Sequence, residues 1–315
     1  MILEGEMMVR KILSLVLAGV FLFSSLVSAA ESGEKTVVEN LAAIESEVYG
    51  SVRTGSIIDR LNGVETELYD KVSSGAVIER ASSLYGKLFD NTGAETSFMM
   101  RINAVEWALS RNLTYEPLKV RVENLETMIY GAPKEGCLDE RMQTLTKLAF
   151  ASGSVEVSDK VVPANSLVKI KLAEAIDSRT AKVGDSVKYQ AAEDVIIDGV
   201  LVIASGEKGE GKLTKVKQHQ NFGRDAQVEI DFGSLEAIDG SRMDVFLGDE
   251  AKAKMEESLA MAAGASIAGM AILGPVGIVG GAFVKGKAVE LPVGTELYVQ
   301  TKSESVVYGF NTGVL

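Results

Sequence analysis

The 315-residue chain carries 44 acidic against 32 basic side chains, a formal net charge of −12, and has one cysteine, one histidine and five prolines. The charge is spread along the chain without a basic stripe, which excludes a nucleic-acid footprint. A lone cysteine, Cys137, excludes an intramolecular disulfide, and a lone histidine, His219, excludes clustered-histidine metal sites and leaves any triad a single candidate base.

Residues 8–30 have the order of a secretory signal: a basic start at Arg10 and Lys11, an apolar core over 12–26, and small residues at Ser28, Ala29 and Ala30. Cleavage is expected after Ala29 or Ala30, with retention as a membrane anchor the alternative. The acidic run at 3–6 makes Met7 or Met8 the expected start, and the absence of cysteine near the cleavage site is unlike a bacterial lipoprotein. The expected location is the periplasm or cell envelope of a bacterium, with the outer membrane a candidate surface.

Residues 31–150 form a repeat. Arg60, Arg80, Arg101, Arg121 and Arg141 recur every twenty or twenty-one residues, each in the same aliphatic surroundings. The stripes run Val37, Leu41, Ile44, Val48, then Ile57, Leu61, Val64, Leu68, then Val77, Ala81, Leu84, Leu88. They continue at Phe98, Ile102, Val105, Leu109 and at Leu118, Val122, Leu125, Ile129, and weaken at Leu138, Met142, Leu145, Ala149. This spacing is one face of an amphipathic helix. At roughly 100° per residue, a twenty-residue shift turns the face by about 200°, so one continuous helix would point successive stripes in opposite directions. Breaks at Gly55, Gly75, Ser97, Pro117 and Gly136 instead predict about six helices of three to four turns, with Ser56 or Ser97 as caps and Pro117 in a first turn.

If Leu61 and its equivalents take heptad position a, the arginines take g, and Glu45, Glu65, Glu106 and Glu126 take e, where charges flank a helix seam and pair across it. Two other readings are that these charges only solubilise the helix edges and that the arginine row contacts a ligand or polymer. Aromatic residues at 49, 69, 89, 130 and 150 end the stripes and are expected to pack between helices.

Residues 151–160 read as a linker. From 161 to 315 the helical period gives way to short alternating runs at 166–173, 186–190, 195–204, 211–216, 227–232, 242–247, 297–302 and 305–308, with turn signals at Asp198-Gly199 and Asp239-Gly240. The expected class is therefore α+β and multidomain: a short-helix repeat array followed by a mostly-β barrel or sandwich. Residues 258–284 interrupt the β pattern with 27 uncharged, alanine- and glycine-rich positions, long enough to span a bilayer. Pro275 predicts a bent helix or a helical hairpin there. Gly264, Gly269, Gly274, Pro275, Gly277 and Gly280 are the candidate contacts for a membrane or an oligomer, the alternative being a hairpin buried on the β domain.

Short motifs in this half carry a resemblance. Residues 162–166 (VPANS), residues 200–206 (VLVIASG) followed by Gly209 and Gly211, Gly223-Arg224 ahead of VEIDF, Asp239-Gly240, and residues 291–295 (LPVGT) resemble the C-terminal β domain of TrbI-type conjugation proteins, which build outer-membrane channel cores of type IV secretion systems. The resemblance covers roughly residues 161–308. It implies a β barrel from which an apolar helical hairpin emerges to line a channel, in the place this insert occupies. The family normally crosses the inner membrane once and carries a proline-rich stretch. Here a signal-like segment and the helical repeat stand instead, so a related envelope domain with another use is expected.

No phosphate loop, Gly-x-Ser-x-Gly elbow or Cys-x-x-Cys pair occurs. His219 is expected in a loop, and Glu193, Asp194 and Asp198 are weighed as a carboxylate or calcium site against a plain strand turn. No cofactor and no metal are expected. The expected function is a non-enzymatic envelope protein, structural, adaptor or channel-core-like. Its repeat would bind a protein partner or another copy, and its insert would contact a membrane or an oligomer. The alternatives are an exported cell-wall hydrolase and a polymer-binding module.

Overall fold

The computed structural model describes residues 35–93, 95–219, 225–262, 277–279, 282–285 and 288–314. The repeat folds as six helices: α1 (Val37–Tyr49), α2 (Ile57–Tyr69), α3 (Val77–Phe89), α4 (Phe98–Ser110), α5 (Leu118–Tyr130) and α6 (Leu138–Ala149). Each begins on the first residue of its apolar stripe. The middle stripe residues, from Leu41 and Ile44 in α1 to Met142 and Leu145 in α6, are all buried. Burying such a side chain is worth about 1.5–3 kcal/mol, which offsets the poor intrinsic stability of helices this short.

Local chemistry sets the ends. Thr36 and Glu39 form a reciprocal capping box on α1. Ser56 accepts from the Asp59 amide at 3.2 Å and Ser97 from the Met100 amide at 3.1 Å, while Pro117 takes the N-cap position of α5. Gly50 ends α1 with φ of +81°, and a Cβ there would lie 2.7 Å from Cγ of Pro117. Left-handed backbone and the close approach of α5 therefore both require glycine. Neighbouring helices pack together, but α1 also touches α5 and α2 touches α6, so the run closes on itself and does not extend as an open row.

The β half contains two larger sheets. Strands β1 (Val157–Val162), β5 (Val195–Ile197), β6 (Val200–Ile203) and β14 (Ser305–Asn311) form an antiparallel sheet in the order β1-β14-β6-β5. The other contains β2 (Leu167–Leu172), β4 (Ser186–Ala191), β7 (Lys208–Lys217), β8 (Ala226–Glu236), β9 (Arg242–Phe246) and β13 (Glu296–Thr301). Its order β8-β7-β4-β2-β13-β9 returns to β8, closing a six-stranded barrel. Register shifts between β7 and β8 supply curvature. At Gly211 a Cβ would sit 2.3 Å from the Asp231 carbonyl oxygen, so the two backbones approach more closely than a side chain allows. The short strands β3 (Ile176–Asp177) and β12 (Glu290–Leu291) pair beside the barrel.

The alternating runs of the sequence coincide with these strands, and the two Asp-Gly turns lie where expected. Two expectations change. Strand β1 begins at Val157, inside the stretch read as linker. The apolar insert is not helical throughout: helix α7 (Asp249–Ala262) leads into it, but β10 (Gly277–Val279) and β11 (Ala282–Lys285) form a hairpin that pairs with β8. Ladder hydrogen bonds from β8 satisfy that backbone, and Phe283 is fully buried. Residues 263–276 lie outside the described residues. Among the described residues no helix is long and apolar enough to cross a membrane.

One core fills the barrel. The other joins the helices to the small sheet, because Leu201, Ala204, Ile238 and Phe310 are buried among the helical stripe residues. Phe310 meets the rings of Trp107 (5.4 Å between centroids) and Phe150 (6.4 Å), both edge-on. The helical array and the β half thus share apolar surface and are not beads on a string.

Candidate functional site

The repeated charges form a ladder between consecutive helices. Arg60 reaches back to Glu45 with Nε donating at 3.0 Å and a terminal nitrogen at 2.6 Å. Arg80 binds Glu65 in the same way at 3.1 and 2.6 Å, Arg121 binds Glu106 at 3.1 and 2.7 Å, and Arg141 binds Glu126 at 3.0 and 2.7 Å. Each glutamate also accepts a loop amide eight residues on, from Arg53, Ser73, Thr114 and Lys134 at 2.8–3.0 Å. One carboxylate therefore fastens the loop after its own helix and the start of the next. The glutamates are buried and the arginines nearly so, between the helices and not along an open seam. Burial works to raise the pKa of Glu65 and of Glu126, but the arginine and amide hydrogen bonds outweigh it and hold both below the ordinary value.

One rung is missing. In α3 the glutamate position holds Tyr85, so Arg101 of α4 has no acid at the matching position of the preceding helix. It turns to Asp139 of α6 at 3.2 Å, lies over the Phe98 ring at 4.2 Å, and leaves its Nε buried without an acceptor. Of the stripe-ending aromatics, Tyr49, Tyr69 and Phe89 are part-buried against the helical core, with Tyr69 edge-on to Phe98 at 6.0 Å, and Phe150 is buried, but Tyr130 is exposed and does not pack as expected.

The repeat also presents an aliphatic row that its core does not use. The second residue of each of the first three helices, Val38, Ile58 and Ile78, is 50, 53 and 61 % exposed, and Val52 and Val72 are exposed at matching loop positions. In α4, α5 and α6 the helical position holds Met99, Lys119 and Asp139, so the row is confined to one half of the array.

Where the helices meet the β half, Tyr115 of the α4–α5 loop donates its hydroxyl proton to the Gly206 carbonyl. The Asn103 amide donates to the Ile238 carbonyl at 2.9 Å, and the Trp107 indole donates to Asp194 at 2.7 Å. Beside these contacts lies a cavity of about 240 Å³ whose lining includes Glu47, Tyr115, Arg121, Glu207, Glu236 and Asp239. Glu207 is 4 % exposed. Burial first, then the neighbouring Glu236 and Asp239 charges, push its carboxyl up to about 8 against the opposing pull of Arg121. Burial also raises Glu47 and lowers Lys208, whose ammonium sits 3.5 Å from the Tyr115 ring centroid. Nothing local in the sequence marks this cluster, because its members come from residues 47 to 239.

The other singled-out residues are placed plainly. Asp194 accepts from Trp107 and from the Ser205 amide, Glu193 pairs with Lys169 at 2.8 Å, and Asp198 pairs with Lys160 at 3.4 Å, so the three do not converge. His219 follows β7 in a loop, and half-buried Cys137 precedes α6. Among the described residues no group of three or more histidine, cysteine or acidic side chains could hold a metal. Of the insert positions, Gly277 starts β10, while Gly264, Gly269, Gly274, Pro275 and Gly280 lie outside the described residues.

No family model matches the chain, and no curated protein matches it. Among solved structures it is similar to ComB10 of the Com type IV secretion system of Helicobacter pylori. The identity is 12 % and the TM-score 0.27, over 46 % of this chain and 89 % of that one.

Proposed function

We propose that this protein is an exported, non-enzymatic component of a bacterial cell envelope, in which the helical array docks a protein partner and the barrel carries the apolar insert toward a membrane or a further subunit. The observation that carries the reading is the row of Val38, Ile58 and Ile78. Branched aliphatic side chains recur at one position in three consecutive repeats and are exposed in each. Exposed apolar side chains that recur at one position of a repeat and that the fold does not bury are where a partner would be sought. The buried ion pairs support the same reading, since they hold successive helices in register and keep the row's spacing constant.

Export rests on the signal-like order of residues 8–30, and the envelope setting on the turn motifs of the β half that resemble TrbI-type domains. The test is a double replacement, Ile58→Asp with Ile78→Asp, in the full chain. Both side chains are exposed, so thermal unfolding should stay within a degree or two of wild type. Cross-linked or co-sedimenting assemblies in envelope fractions should disappear. Assemblies that persist unchanged would sink the docking role, and a mature protein found only in the cytoplasm would sink the envelope assignment.

A further inference from the structure

The cavity between the helices and the barrel is lined by four acidic side chains, Glu47, Glu207, Glu236 and Asp239, against two basic ones, Arg121 and Lys208. From α1 comes Glu47, from the α4–α5 loop Tyr115, from α5 Arg121, from β7 Lys208, from β8 Glu236, from the β8–β9 turn Asp239, and from the β6–β7 turn Glu207. Most are committed. Arg121 is held by Glu106 and by the side-chain Oδ1 of Asn103 at 2.7 Å. Glu236 pairs with Arg242 at 3.0 Å. Asp239 accepts the Ser241 amide at 2.9 Å, the Ser241 hydroxyl at 2.6 Å and the Tyr308 amide at 2.8 Å.

Glu47 and Glu207 differ. Glu47 makes no hydrogen bond or ion pair among the described residues. Glu207, 4 % exposed, has one side-chain contact, the Tyr115 hydroxyl at 3.5 Å, and that hydroxyl already gives its proton to Gly206. The Oε1 oxygen of Glu207 meets no donor among the described residues, and a largely buried carboxyl oxygen left so is costly and points to a partner that the chain does not supply. Lys208 lies on the Tyr115 ring and makes no salt bridge among the described residues, and it shares the cavity lining with both carboxyls.

We infer that this cavity binds a small organic cation, an alkyl guanidinium or ammonium, with its charged head between Glu47 and Glu207 and its alkyl part against Phe89, Met99 and Leu113. The volume of about 240 Å³ suits a compact ligand. The apolar wall of Phe89, Met99 and Leu113 offers no oxygen ligands and disfavours a hard divalent ion, which takes six to eight of them. The inference concerns neither the aliphatic row nor the insert, so it stands apart from the docking role.

Binding requires an ionised Glu207, so a cation that enters must displace its proton. Titration calorimetry with n-butylguanidinium, a probe whose own charge is constant across the range used, tests this on the full mature chain. Wild type should bind more tightly as pH rises toward about 8 and level off above it, with proton release seen as a dependence of the heat on buffer. Glu207→Gln, an isosteric change, should keep the wild-type unfolding midpoint near pH 6 yet bind about tenfold or more weakly, the weight of one charge-assisted contact. It should also lose the pH dependence, and Glu47→Gln should weaken binding while keeping it. Absent binding, equal binding by Glu207→Gln, a pH-independent affinity, or binding of calcium or a lysine-bearing peptide in place of the free probe would each overturn the inference.

Discussion

A buried ion pair is decided by what happens to each partner when the other is removed. Glu126 is 2 % exposed and serves three donors at once, two from the Arg141 guanidinium and one from the Lys134 amide. Glu126→Ala leaves a buried guanidinium and an orphan amide, and should cost about 3–5 kcal/mol, read as a lower urea midpoint at unchanged slope. Replacing both Glu126 and Arg141 by methionine should recover most of that loss, because no charge is stranded. The same pair shapes the acid limb. Its folded pKa lies below the ordinary 4.5, so the stabilisation is fully present above 4.5 and is lost as pH falls through the folded value. Glu126→Ala should accordingly flatten the decline of unfolding free energy below that pH, measured by denaturant titrations at stepped pH. The ladder's spacing was visible as recurring Arg and Glu, but not its burial, its capture of loop amides, or the diversion of Arg101 to Asp139. Those depend on where the following helix lands.

The helices are written locally: stripes spaced four, three, four, with capping side chains or glycines at several of the ends and short loops between. Their boundaries follow from the sequence for that reason. Gly50 and Gly131 separate two roles that look alike in the sequence. Both end helices at φ near +80°, but a Cβ at Gly131 meets nothing within 4 Å whereas one at Gly50 strikes Pro117. Gly131→Ala should cost about 1 kcal/mol, the strain of left-handed backbone alone. Gly50→Ala should cost clearly more, because α1 must also move from α5, and paired thermal melts would show the difference. The insert is the opposite case. Twenty-seven uncharged residues carry no period that separates helix from strand, and the edge of β8, some fifty residues earlier in the chain, is what draws β10 and β11 into the sheet.

At the scale of the molecule, the shared core makes the helices and the small sheet one mechanical unit. Phe310, on the last strand, is fully buried against Trp107 and Phe150 of the helical half. Phe310→Ala should cost about 3–5 kcal/mol and red-shift the emission of Trp107, the only tryptophan, which reports on this junction directly. Fluorescence and far-ultraviolet dichroism should follow a single transition in wild type and separate in the variant. A variant in which Trp107 emission and stability are both unmoved would mean that the two halves are independent.

Periodicity over a dozen neighbouring residues was enough to number the repeat's helices, place their ends, pick out the longer strands other than β1 and expect a β fold after them, since each depends on side chains a turn or a pleat apart. Closure of the barrel through β9 and β13, the return of α5 and α6 to α1 and α2, and the sharing of one cavity by Glu47 and Glu207 join positions between 54 and 160 residues apart. Only packing brings such groups together, and only packing removes the water that would otherwise screen their charges.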